Sequence, residues 1–255
     1  MSSSNNKLKI FIIVCVVVFL TGLAATLTGI ALHGFKDLNK LPGDWHIGDW
    51  NEYNGSGETE TYTLSGNDAK FEAMDLNLAL CEVEFKQGDE YKVEVTYDTY
   101  MTRPDISIEN GTLVMTTSEE HLISGDGDGI TMNVEITVPE GTILTDAELT
   151  LDACQVDISD LATNNLDMSM DIGELSMEGV SFNTAKFNLN LCDATIDISG
   201  DAADYGYDIV NGLGSLTLDG VDVENAEANN SAPNQYEMDA DLSDVEISYQ
   251  GTSGN

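Results

Sequence analysis

Carboxylates are the chemically capable groups that this sequence supplies in quantity. The chain has 46 Asp and Glu residues against 9 Lys and Arg residues, which gives a formal net charge of −37. Two carboxylates at a suitable separation are enough to hydrolyse a glycosidic bond, so a glycan hydrolase is one hypothesis. No pair of acids stands out by its spacing, however. A polysaccharide lyase is disfavoured, because its chemistry needs basic residues and Arg103 is the single arginine.

The three histidines show no pattern of a metal site or of an activated nucleophile. His33, His46 and His121 are neither spaced as zinc ligands nor placed beside a nucleophilic side chain. The loop SGDGDGI carries Asp126 and Asp128 in an arrangement similar to part of a calcium loop. It lacks the third acid and the distant Glu of a helix-loop-helix calcium site, which favours a plain flexible loop. We therefore predict no catalytic, cofactor or metal site, and calcium binding stays an alternative.

The negative charge restricts the partners of the protein. Affinity for nucleic acid depends on Lys and Arg that neutralise phosphates, so this excess of acids argues against a nucleic-acid partner. The same field attracts divalent cations and cationic partners. A plainer interpretation is that the acids keep a repetitive β surface soluble and prevent its edges from associating.

Residues 10–32 form an uncharged apolar run near the N-terminus. A helix of this length would extend about 34 Å, which is enough to cross a hydrocarbon core of about 30 Å. The run is longer than the apolar core of a secretory signal peptide, although small residues near Ala24 or Ala31 keep a cleaved signal as the alternative. We predict a single-pass anchor in the cell membrane, with residues 1–9 in the cytoplasm and the C-terminal domain outside it.

Alternating apolar residues in the segment 90–138 predict antiparallel strands. Tyr91–Tyr97 alternates, and so does Ile130–Val138. Between them, Asn110–Gly111 separates two alternating runs. This dipeptide is a strong hairpin signal, because both residues of the favoured turn take positive φ.

A repeat of about 20 residues follows, and it is defined by pattern rather than by identity. Apolar residues stand nine, seven and five positions before an apolar anchor, at the anchor itself, and two positions after it; Asn211 is the exception. The inward positions thus change from odd to even offsets inside every unit. Because strand side chains alternate with period two, this change requires a corner or a bulge. The anchors are Val83, Val156, Leu175, Ile196, Leu216 and Val245.

Small residues occur two positions before every anchor, where the parity changes. A tight corner leaves room for little more than a methyl group or a thiol at such a position. Single units cannot bury their apolar side alone, so stacked units are expected to share one core. We predict an all-β, parallel β-helix or β-roll-like repeat domain with an antiparallel hairpin region, preceded by one transmembrane helix. The structural corner positions are Cys81, Cys154, Gly173, Ala194, Gly214 and Ser243.

The cysteines allow two interpretations. Cys81 and Cys154 occupy equivalent corners, and an exported protein can join such residues in a disulfide. Cys192 would then have no partner, and the corner also accepts Gly, Ala and Ser. This tolerance favours buried free thiols, but the sequence leaves both states open.

Several segments resemble a bacterial β-strand-repeat domain of unknown function that is known by the family name "putative adhesin". The resemblance spans residues 70–250, and such domains often follow a single membrane anchor in Gram-positive bacteria. It implies a β-repeat fold and, through the family name, surface adhesion, but it transfers no catalytic or binding residue. The segments are LDACQVDIS (Leu151–Ser159), MDIGELSMEGV (Met170–Val180), YDIVNGLGSLTLDG (Tyr207–Gly220), ADLSDVEISY (Ala240–Tyr249) and VPEGT (Val138–Thr142).

The expected organisation follows from these patterns. A juxtamembrane linker at 33–68 would separate the anchor from a β-repeat domain at 69–249, and a short tail at 250–255 would end the chain. We predict a non-catalytic, membrane-anchored module of the cell surface, either an adhesin or an envelope-binding or structural protein. The envelope polymer or partner protein is not identified by the sequence. A regulatory ectodomain in envelope-stress signalling is the alternative function, and a glycan hydrolase is the third.

Overall fold

The computed structural model of the protein describes residues 59–98, 104–117 and 132–251, with no side-chain description for residue 98. All of them lie within one compact unit, Gly57–Asn255. The predicted anchor at 10–32, the three histidines and the loop with Asp126 and Asp128 lie outside the described residues. Within the described ranges no helix is long and apolar enough to cross a membrane.

Strands account for almost all regular structure in these ranges, together with two short 3-10 helices, Gly66–Ala69 and Ala202–Asp204. The prediction of an all-β domain is therefore confirmed. The strands are β1 (Thr59–Ser65), β2 (Ala73–Ala79), β3 (Cys81–Gly88), β4 (Lys92–Asp98), β5 (Asp105–Glu109), β6 (Thr112–Thr116), β7 (Met132–Pro139), β8 (Leu144–Asp152), β9 (Cys154–Ser159), β10 (Ala162–Met170), β11 (Gly173–Asn190), β12 (Cys192–Ser199), β13 (Tyr205–Asn211), β14 (Leu216–Leu218), β15 (Val221–Val223), β16 (Asn225–Ala228), β17 (Asn234–Asp241) and β18 (Asp244–Gln250).

The strands form two sheets that share one apolar core. In sheet I the order is β5-β6-β2-β8-β10-β11-β17-β13-β16. In sheet II the order is β1-β4-β7-β3-β9-β11-β12-β18-β14-β15. The long strand β11 belongs to both sheets, because its first half pairs with β9 and β12 and its second half pairs with β10 and β17. Central neighbours are parallel, and the pairs nearest the sheet edges are antiparallel.

Period-two alternation explains why these segments are strands with one buried face. In β8 the inward side chains are Ala147, Leu149 and Leu151, while the intervening residues are exposed. Equivalent apolar residues on successive strands face each other in register, as in the pairing of Leu149 with Met168 and of Met168 with Phe187. Burial in such a row contributes about 1.5–3 kcal/mol of hydrophobic free energy per large side chain.

Between residues 144 and 218 the chain coils from one sheet to the other in sequence order, as predicted for a roll. The last unit departs from that order. Strand β17 lies between β11 and β13 in sheet I, and β18 lies between β12 and β14 in sheet II. The cause is local. Strands β15 and β16 pair antiparallel with the outer edges of β14 and β13, so only the inner edges of β14 and β13 remain for β18 and β17. The last unit therefore does not stack in sequence order.

Two boundaries also differ from the predictions. Strand β1 lies inside the predicted linker at 33–68, yet it pairs with β4 along its whole length. At the other end, β18 runs to Gln250, one residue beyond the predicted limit of the domain. The predicted Asn110–Gly111 hairpin is present between β5 and β6, with φ of 52° and 84° at its two residues.

A corner joins the two sheets in each repeated unit. Between inward Leu78 and inward Cys81, two consecutive residues point outward, and this extra residue produces the predicted change of parity. By register, the inward residue after each corner stacks into a single line, called here the corner row. In spatial order it contains Cys81, Cys154, Gly173, Cys192, Ser243 and Gly214.

This register corrects one predicted corner position. Leu175 pairs with Ala194, and Ala194 in turn pairs with Val245. Ala194 is therefore the anchor of its unit rather than the corner, and the corner residue is Cys192. The error arose because Ile196 and Ile198 continue the same apolar parity, so a shift by two residues leaves the buried face unchanged.

The side chains of the corner row are small for two different physical reasons. At Gly173 the backbone φ is 144°, and a Cβ would lie 1.9 Å from the carbonyl oxygen of Cys154. Gly214 has φ of 143° and the same distance to the carbonyl oxygen of Ser243. No side chain fits at either position, because the backbone of the neighbouring unit occupies the space.

The other corners place a hydrogen-bond donor where the chain turns. The Cys154 thiol donates to the carbonyl oxygen of Asp152 at 3.4 Å, and the Cys192 thiol donates to that of Asn190 at 3.2 Å. The Ser243 hydroxyl donates to the carbonyl of residue 241 at 3.1 Å and accepts the Cys192 N–H at 3.0 Å. The carbonyl oxygens of Asp152 and of residue 241 also accept the N–H groups of Leu80 and Leu191, at 2.9 and 3.0 Å, so the side chains add a second bond at these corners.

A cluster of aromatic side chains fills the end of the core that is opposite the corner row, near the last unit. Phe182 lies edge-on to Tyr205 and to Tyr236, with ring centroids 5.4 and 5.9 Å apart. The hydroxyls of Tyr236 and Tyr249 are 2.7 Å apart and form a hydrogen bond. Burial raises the pKa of Tyr249 to about 12 and also raises the pKa of Tyr236.

The aromatic cluster predicts an alkaline loss of stability. The folded-state pKa of Tyr249, about 12, lies above the value of about 10 for a tyrosine in an unfolded chain. The free energy of unfolding should therefore be insensitive to this group below about pH 10 and should fall as the pH rises from 10 through 12. Urea unfolding of wild type and Tyr249→Phe across this range measures the effect. The variant should show a shallower fall, and equal slopes would contradict the prediction.

Gly173 predicts a steric limit at the corner. Gly173→Ala should lower the free energy of unfolding by about 3 kcal/mol or more, because the methyl group meets a backbone carbonyl and the positive φ disfavours alanine. The matched control is Gly220→Ala, where φ is 73° and a Cβ would have no atom within 4 Å. That variant should lose only the conformational term of about 1 kcal/mol. Equal losses in urea unfolding would refute the steric account.

Candidate functional site along the strand corners

The outward residue before each corner-row position forms a line of exposed apolar side chains. We call this line the corner ridge. Its large members have exposed fractions between 37% and 65%, although leucine and isoleucine usually avoid such exposure. Neighbouring members lie at adjacent corners, and the strands that flank these corners pair with each other at a spacing of about 4.8 Å. In spatial order the ridge contains Leu80, Ala153, Ile172, Leu191, Leu242 and Leu213.

The backbone makes these apolar residues unusual. Leu80, Leu191 and Leu242 have φ of 53°, 54° and 55°, in the left-handed region. That conformation costs a residue other than glycine about 1–2 kcal/mol, and Asn or Gly would meet the same requirement at lower cost. The ridge therefore combines two individually unfavourable properties, solvent exposure and left-handed backbone, at the same leucines.

Carboxylates flank the ridge on both sides. On the sheet I side, the residues just before the ridge include exposed Asp152, Asp171 and Asp241. On the sheet II side, the exposed acids two positions after the ridge are Glu82, Glu174, Asp193 and Asp244. At one end, the Ser215 hydroxyl and N–H donate to Asp244 at 2.7 and 2.8 Å, and these two bonds lower the pKa of Asp244. The ridge and these acids form an apolar line between two negative borders.

A shallow groove of about 620 Å³ lies on the outer face of sheet I. Its floor includes one row of directly paired residues, in which Lys186 stands between Asp167 and Glu237, with Glu148 beyond Asp167. These acids are exposed to solvent. A carboxylic acid that protonates a glycosidic oxygen near neutral pH needs a pKa raised by a buried, apolar environment. The groove does not provide that environment, so its chemistry is that of a charged contact surface.

A second groove, of about 490 Å³, lies on the outer face of sheet II. Lys86 and Lys92 both approach Glu135, at 3.3 and 3.8 Å, while Lys86 also contacts Glu84 at 2.9 Å. Such exposed pairs contribute little to stability. They show instead that the few lysines here are already engaged by carboxylates.

The structure places five of the six predicted corner positions together and excludes the sixth. The structure brings Cys81, Cys154, Gly173, Gly214 and Ser243 into the corner row together with Cys192, and it removes Ala194 from that row. No group of three or more His, Cys, Asp and Glu side chains within residues 59–98, 104–117 and 132–251 is arranged to hold a metal ion. The calcium alternative concerned Asp126 and Asp128, so the structure does not bear on it.

Sequence reasoning missed the corner ridge. The sequence contained a usable signal. In every unit an apolar residue directly precedes the corner-row position, although this place is not one of the inward positions of the repeat pattern. It was overlooked because a leucine is not a turn residue, and left-handed positions are normally expected to be Gly, Asn or Asp.

Among solved structures, the fold is similar to that of a protein described as a putative cell adhesion protein from Clostridium sporogenes. The two share 17% sequence identity, the match covers 76% of this chain and 99% of that chain, and the TM-score is 0.53. A protein described as a putative adhesin from Bacteroides fragilis matches at 11% identity over 75% of this chain and 98% of that chain, with a TM-score of 0.38. None of the curated protein sequences matches this chain.

A family model matches the domain directly. The model for the Toastrack DUF4097 family covers residues 71–254, which is well over half of the chain and contains every unit of the repeat. The resemblance inferred from the corner motifs is thereby confirmed at the level of the family. This chain belongs to the Toastrack DUF4097 family.

Proposed function

We propose that this chain is a non-catalytic, membrane-anchored surface module that binds a cationic, amphipathic partner segment along the corner ridge. The observation that carries the proposal is the line of exposed apolar residues between two borders of carboxylates. Single exposed apolar residues are ordinary on protein surfaces, but a contiguous apolar line with a polar rim is typical of an interaction site.

The conformational cost at the ridge supports this role. Exposed Leu191 and Leu242 gain little from burial within the chain, and their left-handed backbone disfavours them. A stability requirement alone would be met better by Asn or Gly at these positions. Burial against a partner supplies the apolar contact that the isolated chain lacks.

The carboxylates define the chemistry of the partner. Lys or Arg side chains on both sides of an apolar stripe would meet the acids on the two borders of the ridge, as in a basic amphipathic segment. A second copy of this chain would instead oppose its own borders, and with a net charge of −37 the two copies repel each other. The same field disfavours nucleic acid and anionic lipid headgroups.

The proposed location comes from the apolar run at 10–32, which would anchor the domain at the outer face of the membrane. The solved structure from Clostridium sporogenes is described as a putative cell adhesion protein, which supports a surface role without assigning a ligand. The solvent-exposed acids of both grooves support a binding surface over a hydrolase site.

Binding of a synthetic peptide by the detergent-solubilised full chain tests the proposal. The probe is a helical peptide with a leucine stripe flanked by lysines, and its affinity is measured by fluorescence anisotropy at low and high salt. The double variant Leu191→Asn/Leu242→Asn should bind about tenfold or more weakly, since it removes two apolar contacts worth about 1 kcal/mol each. Affinity should also fall as salt rises.

Three controls make the result specific. Ile143→Asn changes an apolar residue of 65% exposure away from the ridge, and its binding should equal that of wild type. An oligolysine of equal charge tests whether charge alone is sufficient. Urea unfolding of the double variant should stay within about 1 kcal/mol per substitution of wild type, because asparagine suits the left-handed backbone. Equal binding of the peptide by wild type and the double variant, or equally tight binding of oligolysine, would reject the proposal.

A further inference from the structure

We propose that Cys81 and Cys154 form a disulfide that links the first repeated unit to the second. Their sulfur atoms are 2.7 Å apart in the buried corner row. For comparison, the sulfur of Cys192 stays 3.2 Å or more from the smaller carbonyl oxygens to which it donates. Two unbonded sulfur atoms, which are larger than oxygen, should lie farther apart than this, so the geometry favours a covalent bond.

The backbone positions are suited to the bond. Glu82 pairs with Gln155 on adjacent parallel strands, which places the two preceding cysteines opposite each other. Adjacent strands lie about 4.8 Å apart, within the Cα separation of about 4.4–6.8 Å found in disulfides. No movement of the strands is needed to bring the two sulfur atoms together.

The corner itself does not require two cysteines. Ser243 makes the same hydrogen bond to the carbonyl two residues earlier that Cys154 and Cys192 make. Gly173 and Gly214 occupy the same row without any side chain. Cys192 provides an internal comparison, because its neighbours in the row are Gly173 and Ser243 and neither offers a sulfur atom.

The chemistry is thiol–disulfide exchange during folding. All three described cysteines are thiols in the structure. One of the two cysteines, as its thiolate, attacks the disulfide of an oxidant of the thiol-oxidoreductase class and releases one thiol. The other cysteine then displaces the second thiol, so two electrons and two protons pass from the cysteines to the oxidant.

Burial sets the order of events. Cys81 is 4% exposed and Cys154 is 3% exposed in the folded domain, so an oxidant reaches them only before the corner row closes. Afterwards a reductant meets the same barrier. The bond closes a segment in which the two cysteines are 73 positions apart, including the whole antiparallel region β4–β7. A cross-link of that span restricts the unfolded chain strongly.

Thiol counting on the full chain is the first test. The chain contains four cysteines, including Cys15. Protein purified from membranes is unfolded in denaturant and treated with iodoacetamide, which alkylates free thiols. Without a reductant it should take up two alkyl groups, and after reduction it should take up four. Peptide mapping should place the non-reduced link between Cys81 and Cys154. Four alkyl groups before reduction would overturn the proposal.

A matched pair of variants tests the structural role. Cys81→Ser removes the link, while Cys192→Ser changes an equivalent corner residue that has no sulfur neighbour. The melting temperature of Cys81→Ser should fall by about 10 °C below that of Cys192→Ser, given the length of the closed segment. Dithiothreitol during refolding should lower the melting temperature of wild type and of Cys192→Ser but leave Cys81→Ser unchanged.

The reductant arm keeps the test decisive if Cys81→Ser fails to fold, since it compares wild type with itself. Wild type that melts at the same temperature after refolding with and without the reductant would refute the role of the bond. The outcome is independent of the peptide-binding experiment, because the two cysteines are buried and lie beneath the ridge.

Discussion

The structure depends on a single constraint: a chain whose side chains alternate must keep its apolar side inward on both sides of a corner. One extra outward residue resolves the conflict in each unit, and it requires a left-handed residue or a glycine at the turn. Because the corners stack in register, any bulky group there would collide with the next unit, as the 1.9 Å approach at Gly173 shows. The core, the order of the sheets and the surface all follow from this repeated solution.

The same constraint produces the surface on which the proposed function rests. Two consecutive residues must point outward at each corner, so six stacked corners create a double line of exposed positions. The chain fills one line with apolar residues and borders it with carboxylates such as Asp171 and Glu174. The need for two outward residues at each corner thus produces an extended apolar strip with acidic borders.

Much of the fold could be predicted because its cause is local. Alternation and the parity change in segments such as Leu76–Phe85 reveal two strands and a corner without reference to other units. Register between units is less visible, since a shift by two residues preserves the buried face, and Ala194 was misplaced for that reason. Strand β1 was missed because its residues are largely exposed on both faces. The left-handed leucines were missed because their conformation contradicts their intrinsic preference.

The position of the last unit has a consequence for assembly of the domain. Strand β17 lies between β11 and β13, and β18 lies between β12 and β14, so the last unit is inside both sheets and not at their edges. Strands β11 and β13 are joined in sheet I through β17, and β12 and β14 are joined in sheet II through β18. Removal of β17 and β18 would therefore split the array between these strands instead of shortening it at one end.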